Sequence, residues 1–243
     1  MPYYKQLGFG AEVYQSYVTV GMAPWSMKAL IGIISDTVSI RGYNKRYWIV
    51  AVSLFGVSGI FLLALLPQKG SPFIAIISAL MFLFCNMQVA TTDLLCEGKY
   101  AEKMAEKPET GSDMVTYVWV CIQIGGLVAA VVVGPMVDAT KVRYLFWLAL
   151  PFSIAIVVPT LAGWLPEERK VNAKRIDTTK IKEQPRIFGL ALCMGISGLV
   201  VSLANMIAND YFLLTITLGA SILMVIMSHN CLPPMLAKAN TYM

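Results

Sequence analysis

A lysine stands inside the first long apolar run of this chain. Lys28 lies between Pro24-Trp25-Ser26-Met27 and Ala29-Leu30-Ile31-Gly32, and its helical neighbours at i−7, i−4, i+4 and i+7 are Gly21, Pro24, Gly32 and Ser35. A charge within the bilayer is costly and is kept for ion or substrate chemistry. On a face of small residues it packs against other helices or lines a cavity instead of meeting lipid. Eight residues on, Asp36 opens a turn that runs through Gly42 to Lys45-Arg46. Asp36 is placed to accept hydrogen bonds from the first N–H groups of the next helix and to pair with Arg46. Gly32 is expected to allow close helix approach. This acid–glycine–basic turn reads as a cytosolic gate.

Other polar groups sit in later apolar runs. Asn86, Ala90, Asp93 and Glu97 share a helical face, with Gln88 and Thr92 beside it. Asp93 is expected to pair with a basic residue or carry a proton, and Glu97 reads as an interfacial charge. Gln123 precedes a ridge of Gly126, Ala130 and Gly134, and Pro135 is expected to kink the end of that helix. Asn205 shares a face with Gly195, Gly198, Ser202 and Asn209. Gln123 and Asn205 are candidate ligand contacts. The residues of an enzyme are missing. Five cysteines show no CxxC spacing, His229 is the single histidine, and there is no Ser/His/Asp set or phosphate loop. No metal and no cofactor are expected.

The elements that must hold these groups are membrane helices. Of the 243 residues 57% are hydrophobic and only 14% charged, with a mean hydropathy of +0.66; a soluble domain carries about 25% charged residues. Seven runs reach the roughly 20 apolar residues that a helical span needs: 12–35, 47–66, 73–95, 113–137, 144–165, 187–208 and 211–228. They are too long for barrel strands and do not alternate. Alternate loops divide the basic residues 13 to 4 out of 19, which places the start of the chain outside and its end in the cytosol. The basic residues lie in short loops and not on one amphipathic face, so nucleic acid is not a partner. Residues 1–10 read as the outer end of a missing helix, and residues 236–243 stop without a cap. One helix is expected before residue 1 and more after residue 243. Residues 1–165 form most of a first bundle, 166–186 a solvated cytosolic linker, and 187–243 the start of a second bundle.

The turn resembles the signature of the major facilitator superfamily between its second and third helices. More specifically, Pro24-Trp25-Ser26-Met27-Lys28-Ala29-Leu30-Ile31-Gly32-Ile33-Ile34-Ser35-Asp36 resembles the PWxxKPLxGxxSD-type segment of the folate–biopterin transporter family, with Ala29 in place of a proline. Arg41-Gly42-Tyr43-Asn44-Lys45-Arg46 is similar to that family's glycine–tyrosine–basic run. Asp93, Gly125-Gly126, Gly134-Pro135 and the tail Ala237-Lys238-Ala239-Asn240-Thr241-Tyr242 are similar too.

The resemblance implies an all-α, twelve-helix, two-bundle carrier of folates or pterins, working by alternating access and coupled to protons. This chain then corresponds to helices two to eight, and the midplane site between the bundles is only half present. Lys28 would meet the anionic glutamate tail of folate. Trp25 or Trp119 would stack on a pterin ring, and Asn86, Gln88, Gln123 and Asn205 would supply hydrogen bonds. Gly32, Asp36, Gly42, Lys45, Arg46 and Asp93 would serve gating and coupling. The expected partners are a folate- or pterin-like molecule, the lipid bilayer and protons. The expected location is a multi-pass protein of the plasma membrane. Seven spans with the start outside also describe a heptahelical receptor. Against that reading, the Asp-Arg-Tyr and Asn-Pro-x-x-Tyr signals are absent, and the last span lacks a retinal-type lysine.

Overall fold

A computed structural model describes residues 2–169, 176–177, 179–207 and 210–239. The middle of the expected linker (residues 170–175 and 178), Asn209 and the end of the tail (residues 240–243) lie outside them. Among the described residues the chain is all helix. Two isolated bridges, Val38 with Ile176 and Ile40 with Tyr43, are the only extended pairings.

The helices are α1 (Pro2–Gln6), α2 (Ala11–Ser26), α3 (Lys28–Thr37), α4 (Arg46–Leu65), α5 (Pro72–Glu106), α6 (Gly111–Asp138), α7 (Val142–Ala155), α8 (Val157–Leu161), α9 (Thr179–Glu183), α10 (Pro185–Ile207) and α11 (Asp210–Ala239). They supply seven stretches long and apolar enough to cross a membrane, matching the seven expected from sequence. The protein is a multi-pass membrane bundle.

Two of the seven spans are broken. α2 and α3 form one span interrupted at Met27, where the Met27 N–H reaches back only three residues to the Pro24 carbonyl. Pro24 has no N–H to give, so the ladder is already short of one bond there. The break starts α3 at Lys28 and separates it from Trp25 by a single irregular turn. α7 and α8 are likewise divided at Ile156, beyond Pro151. α6 runs unbroken through Pro135.

α5 is the longest helix. Its 35 residues span about 52 Å, against roughly 30 Å of hydrocarbon. Its last turns therefore extend beyond the bilayer core, where Lys99–Glu102 and Lys103–Glu106 pair at i,i+3. α5 packs against α2, α3 and α4, while α4 also packs against α7 and α8, and α10 leans on α2, α3 and α11.

Small and polar residues such as Ser35, Ser53, Ser78, Thr91, Ala75 and Ala90 are fully buried, while Leu54, Phe73, Leu127 and Phe152 face outward. Lipid is as apolar as leucine, so helices associate through close contact and hydrogen bonds and not through expulsion of water. Gly59 shows the contact needed: a Cβ there would lie 2.7 Å from the Met81 carbonyl oxygen on α5. At the α1 end, Tyr3, Tyr4, Leu7, Leu63, Ala75 and Val142 form an apolar core with Phe82 and Phe146 packed on it.

Candidate functional site: the Lys28 cluster and the α3–α4 turn

The break at Met27 brings four of the expected residues together. Lys28 Nζ donates to Asp93 Oδ2 and lies 3.6 Å from Glu97 Oε2. It also stands 4.8 Å from the centre of the Trp25 ring, within range of a cation–π contact. The Trp25 indole N–H donates to Asn86 Oδ1 at 2.9 Å, and the Asn86 amide donates to the Phe82 carbonyl at 3.0 Å. Asn86, Asp93 and Glu97 thus present one face of α5 to α2 and α3, as their spacing requires. The ion pair is not sealed: the side chains of Lys28 and Asp93 are 24% and 34% exposed. A cation that is held, oriented and still accessible can exchange its partner for an anionic ligand.

Three expected ligand contacts are elsewhere. Gln88 is 2% exposed and points to α7, where its Nε2 donates to the Ser153 carbonyl and its Oε1 accepts from the Ser153 hydroxyl. Both ends of its amide are used, which corrects the expectation of a ligand contact. Gln123 lies on the exposed α6, and Asn205 is half-buried near the end of α10. Neither touches the Lys28 cluster.

The turn between α3 and α4 is built differently from its reading. Arg41 and Gly42 both have positive φ, at 55° and 85°, between the bridged residues Ile40 and Tyr43. This is the hairpin geometry in which glycine is favoured. Asn44 Nδ2 donates to the carbonyls of Ser35 and Asp36, tying the turn to the end of α3. The expected pairing of Asp36 with Arg46 is not formed. The acceptor at the head of α4 is Glu167, which takes the backbone N–H groups of Asn44 at 2.7 Å, Lys45 at 3.0 Å and Arg46 at 2.9 Å. A helix N-terminus offers unpaired N–H groups, a place that suits a carboxylate. A residue far along the chain fills it.

The other basic groups of the turn are engaged as well. The Arg46 guanidinium donates to the Leu161 carbonyl and lies 5.6 Å from the Tyr43 ring centre. Lys45 Nζ reaches Glu102 at 3.1 Å. Lys45 and Glu102 help to wall a polar recess of about 850 Å³ that also includes Asp36, Lys99 and Glu167. Gly32 is not a close-approach point, since a Cβ there would meet Leu94 at an ordinary 3.5 Å. Around α2 and α3 the tight approaches are Gly195 against Leu30 and Gly198 against Ser26, each with a contact of 2.6 Å to an added Cβ.

The connection expected to be solvated is fastened at both described ends. Glu167 caps α4, and the Asp177 N–H donates to the Thr37 carbonyl at 2.8 Å beside the Val38–Ile176 bridge. Glu167 was the functional candidate missed by sequence reasoning. Its only local signal is an acidic pair directly after Pro166 at the end of a span.

The folate-biopterin transporter of Synechocystis sp. (strain ATCC 27184 / PCC 6803 / Kazusa) is 25% identical over 154 residues, which cover 63% of this chain and 30% of that protein. Probable folate-biopterin transporter 4 of Arabidopsis thaliana is 25% identical over 171 residues, 69% of this chain and 33% of the relative. Probable folate-biopterin transporter 2 of the same plant is 24% identical over 174 residues, 68% and 34%. The chain spans about a third of the length of these relatives. No solved structure matches it. Residues 3–243 match the sequence model of the BT1 family, and the chain belongs to that family.

Proposed function

We propose that this chain is part of a carrier that moves folate- or pterin-type anions across a membrane by alternating access, on a major-facilitator-like bundle and coupled to protons. One observation carries the reading: Lys28, a cation within a span, is oriented by Asp93, Glu97 and the face of Trp25 and still keeps an open side. A ligand carboxylate fits the ammonium, and a flat ring fits the exposed part of Trp25, whose orientation Asn86 fixes. The names of three relatives support folate or biopterin as the cargo. Gly42, Lys45, Arg46, Asp36 and Glu167 form the gate at the cytosolic end, because the elements that meet there must part if that side is to open. The family and the anion-ready lysine favour a carrier over a receptor or an enzyme.

The test is uptake of labelled folate and biopterin into proteoliposomes by the full-length protein. Lys28→Ala is expected to abolish uptake and Asp36→Asn to impair it. Normal uptake by both variants would refute the carrier mechanism.

A further inference from the structure

A recess of about 520 Å³ opens between α10, α11 and the end of α2. Five hydroxyls line it: Ser26 from α2, Ser197 and Ser202 from α10, and Thr217 and Ser221 from α11. Ser26, Ser197 and Ser221 stand at or close to the middle of their spans, a depth at which lipid offers a polar group no partner. Four of the hydroxyls commit their protons to their own helices. Ser26 donates to the Ala23 carbonyl at 2.8 Å, Ser197 to Met194 at 3.0 Å, Thr217 to Leu213 at 2.8 Å and Ser221 to Thr217 at 2.8 Å. A hydroxyl bonded in this way has only lone pairs left to offer, so these four are acceptors. Ser202 differs. It lines the recess at 7% exposure, yet its hydroxyl has no hydrogen-bond partner among the described residues. A buried hydroxyl left unmet is costly, and a ligand group that bonds it removes the penalty.

The rest of the lining defines what fits. None of it is charged, and Val201, Ala220 and Met224 give it an apolar wall. A methionine thioether suits the edge or face of a ring. The matching occupant is uncharged, flat and rich in N–H donors. Position agrees with this. Trp25 and Ser26 are consecutive and both exposed, with Trp25 bonded to Asn86 on α5 and Ser26 in contact with Gly198 on α10. The recess therefore adjoins the Trp25 side of the Lys28 cluster. Sites of this kind form near the bilayer midplane beside broken helices, and the break at Met27 is one residue from Ser26. We propose that the recess is a second ligand subsite, which holds the uncharged, amino-bearing edge of a ring through its N–H groups and uses Ser202 to select it. The inference deepens the carrier reading and rests on it for the kind of ring, a 2-amino-4-oxopyrimidine edge with N–H donors side by side.

The test is calorimetry at pH 7 on the full-length protein in lipid nanodiscs, with three probes. Pterin has the amino-bearing ring and no carboxylate. Lumazine has a carbonyl in place of the amino group. N-benzoylglutamate has the anionic tail and no such ring. Pterin is expected to bind about fivefold more tightly than lumazine, the contribution of one hydrogen bond. Ser202→Ala should weaken pterin by a similar factor and bring it level with lumazine. Ala220→Phe, which fills the recess from α11, should abolish pterin binding and leave N-benzoylglutamate unaffected, whereas Lys28→Ala should do the reverse. Pterin held no better than lumazine, or undiminished in both Ser202→Ala and Ala220→Phe, overturns the subsite. Binding of N-benzoylglutamate without pterin also overturns it and leaves the anion contact standing. Binding of pterin without N-benzoylglutamate overturns the anion contact at Lys28 and leaves the recess as assigned.

Discussion

Glu167 accepts the backbone N–H of Arg46 at 2.9 Å although 121 residues separate them. The same carboxylate serves Asn44 and Lys45, so one side chain answers two of the four orphan donors at the head of α4 and the N–H just before them. The residues at that helix start supply no side-chain cap of their own. The end of the fifth span is thereby joined to the start of the second. The turn between α3 and α4 cannot move independently of residue 167 while these bonds hold.

Removing this carboxylate should loosen the turn. Glu167→Ala is expected to cost about 2 kcal/mol, the upper range for loss of a helix cap, and Glu167→Gln less because one acceptor oxygen remains. Hydrogen exchange followed by mass spectrometry on the peptide covering 41–48 should show faster exchange of the three amides in Glu167→Ala. Unchanged exchange would mean that the cap does not hold the turn.

The Lys28–Asp93 pair should show coupling. Lys28→Met alone leaves Asp93 without its cation, Asp93→Asn alone leaves Lys28 with only the more distant Glu97, and the double variant removes both members of the pair. The pair is partly exposed, so the coupling energy is expected at about 1 kcal/mol. Thermal unfolding in detergent of the two single variants and the double variant measures it. Strictly additive losses would show that the contact contributes nothing to stability.

The sequence was legible where a local rule decides. Span number followed from hydropathy, and the face shared by Asn86, Asp93 and Glu97 followed from helical period. Three features were not legible, each for a non-local reason. Gln88 and Asn86 lie two residues apart on one helix, but only the position of Ser153 on α7 decides that Gln88 is closed inside. Asp36 has the chemistry of a helix cap and sits next to the helix, yet Glu167 occupies the place. The ridge of Gly126, Ala130 and Gly134 has the pattern of a packing face, but α6 is exposed along its length and the Cβ positions of Gly126 and Gly134 meet nothing within 4 Å. Spacing states which residues share a face and leaves open what that face meets.

Glycine substitutions should separate these cases. A Cβ at Gly56 would fall 1.9 Å from Gln88 Oε1 and 2.5 Å from Gln88 Cβ. Gly56→Ala must therefore displace Gln88 and strain its bonds to Ser153, a loss of about 1–3 kcal/mol by overpacking. Gly126→Ala meets open space and gains helix propensity, so it is expected to be neutral or stabilising by up to about 1 kcal/mol. Unfolding temperatures of the two variants in one detergent should move in opposite directions, or only the first should move. Equal losses would contradict the packing described for α4 on α5.

The adjacent phenols of α1 should respond oppositely to loss of their hydroxyls. Tyr3 bonds Ser78 at 3.0 Å, whereas the buried Tyr4 hydroxyl has no partner among the described residues. Tyr3→Phe is expected to cost about 1 kcal/mol, and Tyr4→Phe to be neutral or stabilising, since an unmet polar group is removed. Burial raises the titration of both phenols above the ordinary value, which is about 10. The folded state then keeps protons that the unfolded chain loses, so this contribution to stability is intact below pH 10 and declines as pH rises beyond it. Thermal unfolding between pH 9 and 11 measures the decline, and the double variant Tyr3→Phe/Tyr4→Phe should flatten it. An equally steep alkaline loss in the double variant would assign the effect to other groups.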